Sequence, residues 1–235
     1  RQQNAESGVE MPDFDTFWAT GGFEFPRPER PVVLLDSFRK DPGARPLKTD
    51  SGKIEIYSEK IAAYGYDDCP GHAAWLEPAE WLGSTAAARF PLHMISNQPR
   101  TRLHGQLDAG PVSRDSKIEG REPVWMHPDD AAARGLKDGD VVRVFNDRGA
   151  CLAGLVVTDA IRAGVIQLAT GAWYDPLEPG VPGTLDRHGN PNMLTLDKGT
   201  SKLAQAPVSQ TALVEVDKFD RALPDITVFG QPETT

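Results

Sequence analysis

Residues 120–154 read GREPVWMHPDDAAARGLKDGDVVRVFNDRGACLAG, and this stretch decides the fold class. The short apolar run at 123–126 predicts a buried strand. Residues 127–135 predict a two-turn helix, because proline opens it, acids fill its first turn and glycine follows its end. Turn residues then separate 140–146 from 150–157, and these two apolar runs predict a β-hairpin. Strand, short helix and hairpin in this order indicate a compact, mainly β domain.

Three further strands extend this pattern on both sides of the stretch. They are expected at 91–95, 164–168 and 211–216, and the last two are separated by a long loop rich in Gly, Pro, Asn and Asp. A loop of that length in a compact domain is usually functional or disordered. Short strands with tight turns favour a closed barrel, because closure removes exposed strand edges, and an open sandwich is the alternative.

Composition limits the classes of protein to which the chain can belong. With 235 residues, of which 39% are apolar and 25% charged, we expect one globular domain plus an appendage. The net charge of -9 opposes a general attraction to nucleic acid or anionic membranes, so anion binding needs a local cluster of donors. The longest apolar run is strand-sized, which predicts no membrane span. The chain starts at Arg1 without the pattern of a secretory signal, so we expect that this residue is not a native start.

Two cysteines, Cys69 and Cys151, lie far apart without a CxxC pair. They therefore predict neither an iron–sulfur cluster nor a structural zinc site, while one disulfide remains possible. The chain also lacks the GxSxG, HExxH, P-loop and GxGxxG motifs, and its five histidines share no metal-ligand spacing. The sequence therefore predicts no catalytic residue and no metal ligand in this chain.

The first 84 residues are rich in aromatic residues and proline but show little regular apolar periodicity. Such a segment is expected to pack against something else, and an irregular layer over the following domain is the alternative. Within it, 53–57 alternates polar and apolar residues and predicts a strand. Ser58 is then placed to cap a short helix that reaches Ala63.

The loop that follows the first barrel strand, 96–106, is dense in hydrogen-bond donors. Arg100 and Arg102 offer guanidinium groups suited to phosphate oxygens, and His104 adds a ring N–H. Amide side chains that can read the edge of a heterocycle are supplied by Asn97, Gln98 and Gln106. A polar surface loop with solvated arginines is the alternative, since no Gly-rich phosphate fingerprint is present.

A second candidate site is the GAWYDP stretch at 171–176. Trp173 and Tyr174 are large aromatic residues with polar atoms, and Asp175 could accept from the N–H edge of a purine or pterin. A planar ligand would suit this stretch, whereas the alternative is a core plug whose aromatic side chains are hydrogen-bonded locally. The turn-rich segment 189–192 could face a ligand through its amides, although ordinary turn chemistry also explains it.

Five stretches taken together resemble the C-terminal domain of the dimethyl sulfoxide reductase family of molybdenum enzymes. They are SNQPRTRLHGQLD (96–108), the 120–154 stretch, TGAWYDP (170–176), HGNPNMLTLDKGTSKLAQ (188–205) and QTALVEV (210–216). The combination of Ser-Asn-Gln-Pro with Thr-Gly-Ala-Trp is most similar to biotin sulfoxide reductases, with trimethylamine N-oxide and dimethyl sulfoxide reductases close behind.

The resemblance implies a double-psi β-barrel that holds part of a bis(molybdopterin guanine dinucleotide) molybdenum cofactor. The implied cofactor-binding residues are Ser96, Asn97, Gln98, Arg100, Arg102, His104, Gly105, Trp173, Tyr174, Asp175, Asn192 and Gln210. Relatives often carry serine at position 105, so only the backbone of Gly105 is implied. In this family the serine that ligates molybdenum lies in an earlier domain, which no segment of this chain resembles.

The resemblance also implies a domain division and a function. We expect 1–84 to be the end of an upstream domain with a linker, 85–222 to be the barrel and 223–235 to be a C-terminal tail. The chain would then be a fragment of an oxidoreductase, inactive alone, whose complete form takes oxygen from a sulfoxide, with biotin or methionine sulfoxide preferred over N-oxides.

Expected partners are the upstream domains, a small substrate and an electron donor, without nucleic acid. The expected location is cytoplasmic, with periplasmic as the alternative. The alternative from a different functional class is that the chain acts independently as a β-barrel interaction module, with the Trp173 loop as its contact patch.

Overall fold

A computed structural model describes residues 9–27, 31–208 and 210–230. The chain contains two compact units, Arg1–Ser58 and Glu59–Thr235. Parts of the expected upstream segment and of the expected tail, residues 1–8, 28–30 and 231–235, lie outside the described residues.

The first unit contains two short helices, α1 (Phe14–Thr20) and α2 (Asp36–Lys40). Asp13 caps α1, because its carboxylate accepts from the Thr16 N–H at 2.9 Å. The strand predicted at 53–57 is wrong, since residues 53–56 are irregular and their two isoleucines are exposed. Among the described residues of this unit none is buried, so the alternating pattern has no apolar layer on which to pack.

The second unit begins with the short helix predicted after Ser58 and continues into the barrel. Its helices are α3 (Glu59–Ala62), α4 (Pro111–Asp115) and α5 (Pro128–Ala133), with 3₁₀ turns at Thr85–Ala88 and Pro191–Met193. Its strands are β1 (Leu92–Ile95), β2 (Pro123–Met126), β3 (Val141–Phe145), β4 (Ala150–Val157), β5 (Val165–Leu168), β6 (Leu185–Asp186), β7 (Leu196–Gly199), β8 (Pro207–Val208) and β9 (Ala212–Lys218).

Six of these strands form a closed barrel in the order β2, β5, β1, β9, β3 and β4, and β4 pairs again with β2. Two pairs are parallel, β1 with β5 and β2 with β4, while the other four pairings are antiparallel. Closure leaves these strands without a free edge. The predicted fold class, a mainly β protein with a double-psi β-barrel, is confirmed.

The barrel core follows from the alternation of side chains along each strand. Leu92 and Met94 of β1, and Val124 and Met126 of β2, point inward and are buried. The helix predicted at 127–135 is present as α5: His127 caps it by accepting from the Asp129 N–H at 3.2 Å, and Pro128 occupies the first position.

Both cysteines are free, so the disulfide that the sequence left open is not formed. Cys151 lies in the barrel core, where burial raises the pKa of its thiol well above the ordinary value and keeps it protonated. Within the part of the chain that the structure describes, no helix is long and apolar enough to cross a bilayer.

Candidate functional site

Parallel pairing of β1 and β5 brings the two candidate stretches together. The loop 96–108 follows β1 and the loop 169–176 follows β5, so both leave the barrel from the same edge. The Thr170 N–H donates to the Asn97 carbonyl oxygen at 3.0 Å and joins the two loops directly. The stretches that the sequence treated separately therefore form one site.

Gln210 fastens the start of the first loop to the segment before β9. Its Nε2 donates to the Ser96 carbonyl oxygen at 2.7 Å, and its Oε1 accepts from the Ser96 N–H at 3.0 Å. His93 Nε2 lies 2.7 Å from the Gln210 carbonyl oxygen and donates to it. The predicted Gln210 side chain thus holds Ser96 in place.

Two open grooves meet at Asn97 and Gln98. The first, called the amide groove, has a volume of about 360 Å³. Its polar lining includes Ser96, Asn97, Gln98, His104, Asn192 and Gln210. The second, called the tryptophan groove, has a volume of about 400 Å³ and is lined by Arg100 and Trp125 beside the same asparagine and glutamine. Seven of the predicted site residues therefore line this pair of grooves.

Asn97 has an unsatisfied acceptor at the meeting point of the grooves. Its Nδ2 donates to the Gln98 carbonyl oxygen at 3.1 Å, whereas its buried Oδ1 has no hydrogen-bond partner among the residues that the structure describes. An unpaired buried polar atom costs about 1–3 kcal/mol, so it is retained where a ligand can supply the missing partner. Asn97 is therefore placed to accept from an N–H group of a bound molecule.

The structure places Arg102 inside the protein, away from both grooves. Its guanidinium donates to the His104 carbonyl oxygen at 3.1 Å and to the Thr170 carbonyl oxygen at 2.9 Å, and it lies 3.0 Å from the Glu122 carboxylate. The sequence assigned it to a phosphate, but burial and these contacts make it the link between the two loops. Arg100, by contrast, is exposed beside the tryptophan groove.

A buried cluster of charges that the sequence analysis missed supports the loops. Besides Arg102 and Glu122 it contains Lys117, whose Nζ lies 2.9 Å from Asp108 and 2.8 Å from Glu122. Burial opposes ionisation of Asp108, but the Lys117 bond and the N–H of Trp173 outweigh it and lower the pKa of Asp108. No local pattern marks these residues, because their meeting depends on the tertiary fold.

Trp173 connects the two loops through its indole. Its Nε1 donates to the Gly105 carbonyl oxygen at 2.7 Å, so the contribution of Gly105 here is made by its backbone. The Trp173 and Tyr174 side chains are 39% and 47% exposed, which leaves an aromatic surface beside the first loop. Because both side chains are partly exposed, they do not form the buried core plug that the sequence offered as the alternative.

Asp175 is buried and already has partners within the chain. Its carboxylate accepts from the Thr227 N–H at 2.8 Å and the Thr227 hydroxyl at 2.6 Å, and it pairs with Arg187 at 2.7 Å. The sequence placed this carboxylate opposite a heterocycle, whereas the structure places it against 224–230, called here the C-terminal clasp. Part of the expected tail therefore packs against the site.

The closed mixed barrel gathers its donor-rich loops at one edge beside an aromatic pair, an arrangement typical of a ligand-binding domain. Residues 92–213, more than half of the chain, match the family described as "Molydopterin dinucleotide binding domain". The chain belongs to this family of molybdopterin-dinucleotide-binding domains.

Curated relatives match nearly the whole chain. The dimethyl sulfoxide/trimethylamine N-oxide reductase of Rhodobacter capsulatus is 50% identical over 99% of the chain, and the biotin sulfoxide reductase of Cereibacter sphaeroides is 50% identical over 88%. Trimethylamine-N-oxide reductase 1 of Escherichia coli K12 is 47% identical over 96%. The chain spans only 28%, 27% and 27% of the lengths of these relatives, in the order given.

A solved structure shows a similar fold at lower identity. Acetylene hydratase from Pelobacter acetylenicus aligns with a TM-score of 0.61 and 22% identity, over 76% of this chain and 25% of that chain. This similarity concerns the fold alone.

Proposed function

We propose that this chain is the part of a molybdenum oxidoreductase that holds a bis(molybdopterin guanine dinucleotide) cofactor together with further domains of the same enzyme. One observation carries the proposal: within the described part of the chain, the buried Asn97 Oδ1 lacks a donor at the point where the amide and tryptophan grooves meet. Pterin and guanine rings both carry N–H edges that satisfy such an acceptor, so the residues fit the cofactor.

The chain's own residues would bind and orient the cofactor. Asn97 would accept from a ring N–H, and the exposed guanidinium of Arg100 would pair with a phosphate. Trp173 and Tyr174 would offer their faces to a planar ring. When bound, the cofactor supplies two-electron oxygen-atom transfer at molybdenum.

The substrate proposed for the complete enzyme is a sulfoxide, biotin or methionine sulfoxide, with trimethylamine N-oxide or dimethyl sulfoxide as the alternatives. Support comes from the names of the relatives, which include both kinds of reductase at the same 50% identity. S=O and N–O oxygens present similar acceptors, so selectivity depends on the shape and polar partners of the substrate pocket. That pocket, the molybdenum ligands and the electron-donor site are proposed to lie in other domains.

The test uses the full-length protein that contains this chain. The proposal predicts molybdenum together with two guanine nucleotides for each metal after acid release. Turnover with a reduced dye, compared as kcat/KM for biotin sulfoxide, methionine sulfoxide and trimethylamine N-oxide, then ranks the substrates. A protein without guanine nucleotide would contradict the cofactor proposal, and a clear preference for the amine oxide would contradict the proposed substrate.

The cytoplasmic location also remains a proposal and follows from the preferred substrate. Fractionation of the native host, with antibody against the barrel, tests it directly. Recovery in the periplasmic fraction would contradict it and would favour the N-oxide alternative.

A further inference from the structure

Trp173 is held at three points by groups of the same unit. Its N–H donates to Asp108 Oδ2 at 2.9 Å, its carbonyl oxygen lies 3.0 Å from His188 Nδ1, and its indole N–H donates to Gly105 at 2.7 Å. Two of the three partners, Asp108 and His188, are fully buried. The exposed indole therefore rests on a rigid, buried support.

His188 is the donor in its contact with Trp173, since the partner is a carbonyl oxygen. Burial, followed by the Lys117 charge, lowers the pKa of His188, and a neutral imidazole carries the single proton that this bond uses. The Asp108 carboxylate lies 3.8 Å from the same Nδ1 but accepts from the Trp173 N–H. His188 and Asp108 thus fix the backbone of Trp173 from both sides.

Phe229 covers this support from the C-terminal clasp. Its ring meets the His188 ring edge to face at 5.0 Å and lies 5.8 Å from the Trp173 ring, while the Arg114 guanidinium lies over it at 5.2 Å. Thr227, two residues earlier, is bound to Asp175 through its N–H and its hydroxyl. The clasp therefore anchors the phenyl ring against the residue that carries the exposed indole.

We propose that His188 and Phe229 are positioning residues that hold the Trp173 indole against the cofactor. The proposal rests on the proposed function, because it requires that Trp173 contacts the cofactor. Neither residue lines the two grooves: His188 contacts the Trp173 carbonyl oxygen, and the Phe229 ring lies 5.8 Å from the Trp173 ring. They act on the cofactor only through Trp173.

The test measures the rate at which the full-length holoenzyme loses molybdenum during incubation with a chelator. His188→Leu removes the donor, and loss of one such hydrogen bond predicts release about fivefold faster. His188→Asn keeps an N–H close to the position of Nδ1 and should restore a rate near that of the wild type. Phe229→Ala should also release the metal faster, and circular dichroism should show that the variants are folded.

A double-mutant cycle separates positioning from general destabilisation. In a Trp173→Ala background, the inference predicts that His188→Leu and Phe229→Ala no longer change the release rate. The inference would be overturned if His188→Leu and Phe229→Ala still accelerated molybdenum release in that background. It would also be overturned if His188→Asn released molybdenum as fast as His188→Leu. If His188→Leu does not fold, Phe229→Ala measured with and without Trp173→Ala provides the same test. Wild-type protein that contains no molybdenum would instead overturn the proposed function.

Discussion

Gly171 opens the loop that carries Trp173. Two features of the structure disfavour any residue other than glycine at this position. Its φ of 93° lies in the left-handed region, and a Cβ there would overlap the His104 carbonyl oxygen. We expect Gly171→Ala to lower the free energy of unfolding by about 3 kcal/mol or more, because neither the Gly171 backbone nor the His104 backbone can move freely. Denaturant unfolding measures this difference.

Gly180 provides the matched control for that substitution. Its φ of 82° is also positive, but no atom of the described residues beyond Gly180 and its two chain neighbours lies within 4 Å of a Cβ built there. Gly180→Ala should therefore cost only the conformational strain, about 1–2 kcal/mol. Equal costs at the two positions would show that the close approach to His104 does not matter.

His188 gives the protein a specific sensitivity to acid. Its pKa is lowered from 6.5 first by burial and then by the Lys117 charge, against the opposing effects of the Trp173 hydrogen bond and of the Asp108 and Asp186 charges. The unfolded state therefore binds more protons once the pH falls below about 6.5, and stability decreases from there down to the lowered folded pKa. His188→Asn removes this titration. Its melting temperature should fall less than that of the wild type between about pH 7 and pH 5, and parallel curves would contradict the assignment.

Arg102 illustrates what residue-level patterns cannot predict. An arginine in a donor-rich loop looks the same in sequence whether it faces a phosphate or the interior. Its interior role depends on Glu122 and Thr170, which lie far along the chain and meet it only in the folded barrel. Asn97 was predicted from its amide chemistry, but its unpaired Oδ1 became visible only in three dimensions.

At the scale of elements, the loop 96–108 depends on its link to the segment before β9. Gln210→Ala removes both bonds to Ser96, and we expect a loss of about 1–2 kcal/mol with faster amide exchange in this loop. Gln205→Ala is the matched control, because the Gln205 amide donates within its own turn, to the Ser201 carbonyl oxygen at 2.9 Å. Hydrogen exchange followed by mass spectrometry measures both variants, and equal protection of the loop would contradict the role of Gln210.

The barrel elements could be predicted because their signals are local. Apolar runs bounded by turn residues marked the strands, and proline with acidic residues marked helix α5. The alternation at 53–57 failed because a strand also needs a partner and a layer to cover it. The C-terminal clasp could not be predicted, since Thr227 and Phe229 acquire their roles only from Asp175 and Trp173.

At the scale of the whole molecule, the two units differ in how much they bury. Among the described residues of Arg1–Ser58 none is buried, and Trp18, Val32 and Leu34 are more than 70% exposed. We expect limited proteolysis of the isolated 235-residue chain to cut within 9–58 before it cuts within 92–218, because buried strands open rarely. Mass spectrometry of the early fragments identifies the cuts, and first cleavage inside the barrel would contradict this expectation.

The central claim, that the site at Asn97 holds the cofactor, is tested most directly by molybdenum and guanine nucleotide content in full-length Asn97→Leu protein. Leucine removes a buried acceptor that has no partner among the described residues, and this gain offsets the loss of the Nδ2 bond to the Gln98 carbonyl oxygen, so the melting temperature should stay close to that of the wild type. Cofactor affinity should nevertheless fall about tenfold, because the ligand N–H loses its acceptor. Gln106, the third amide that the sequence proposed, is exposed and lines neither groove, so Gln106→Leu should keep full content. A stable Asn97→Leu protein with wild-type content of both metal and nucleotide would contradict the account.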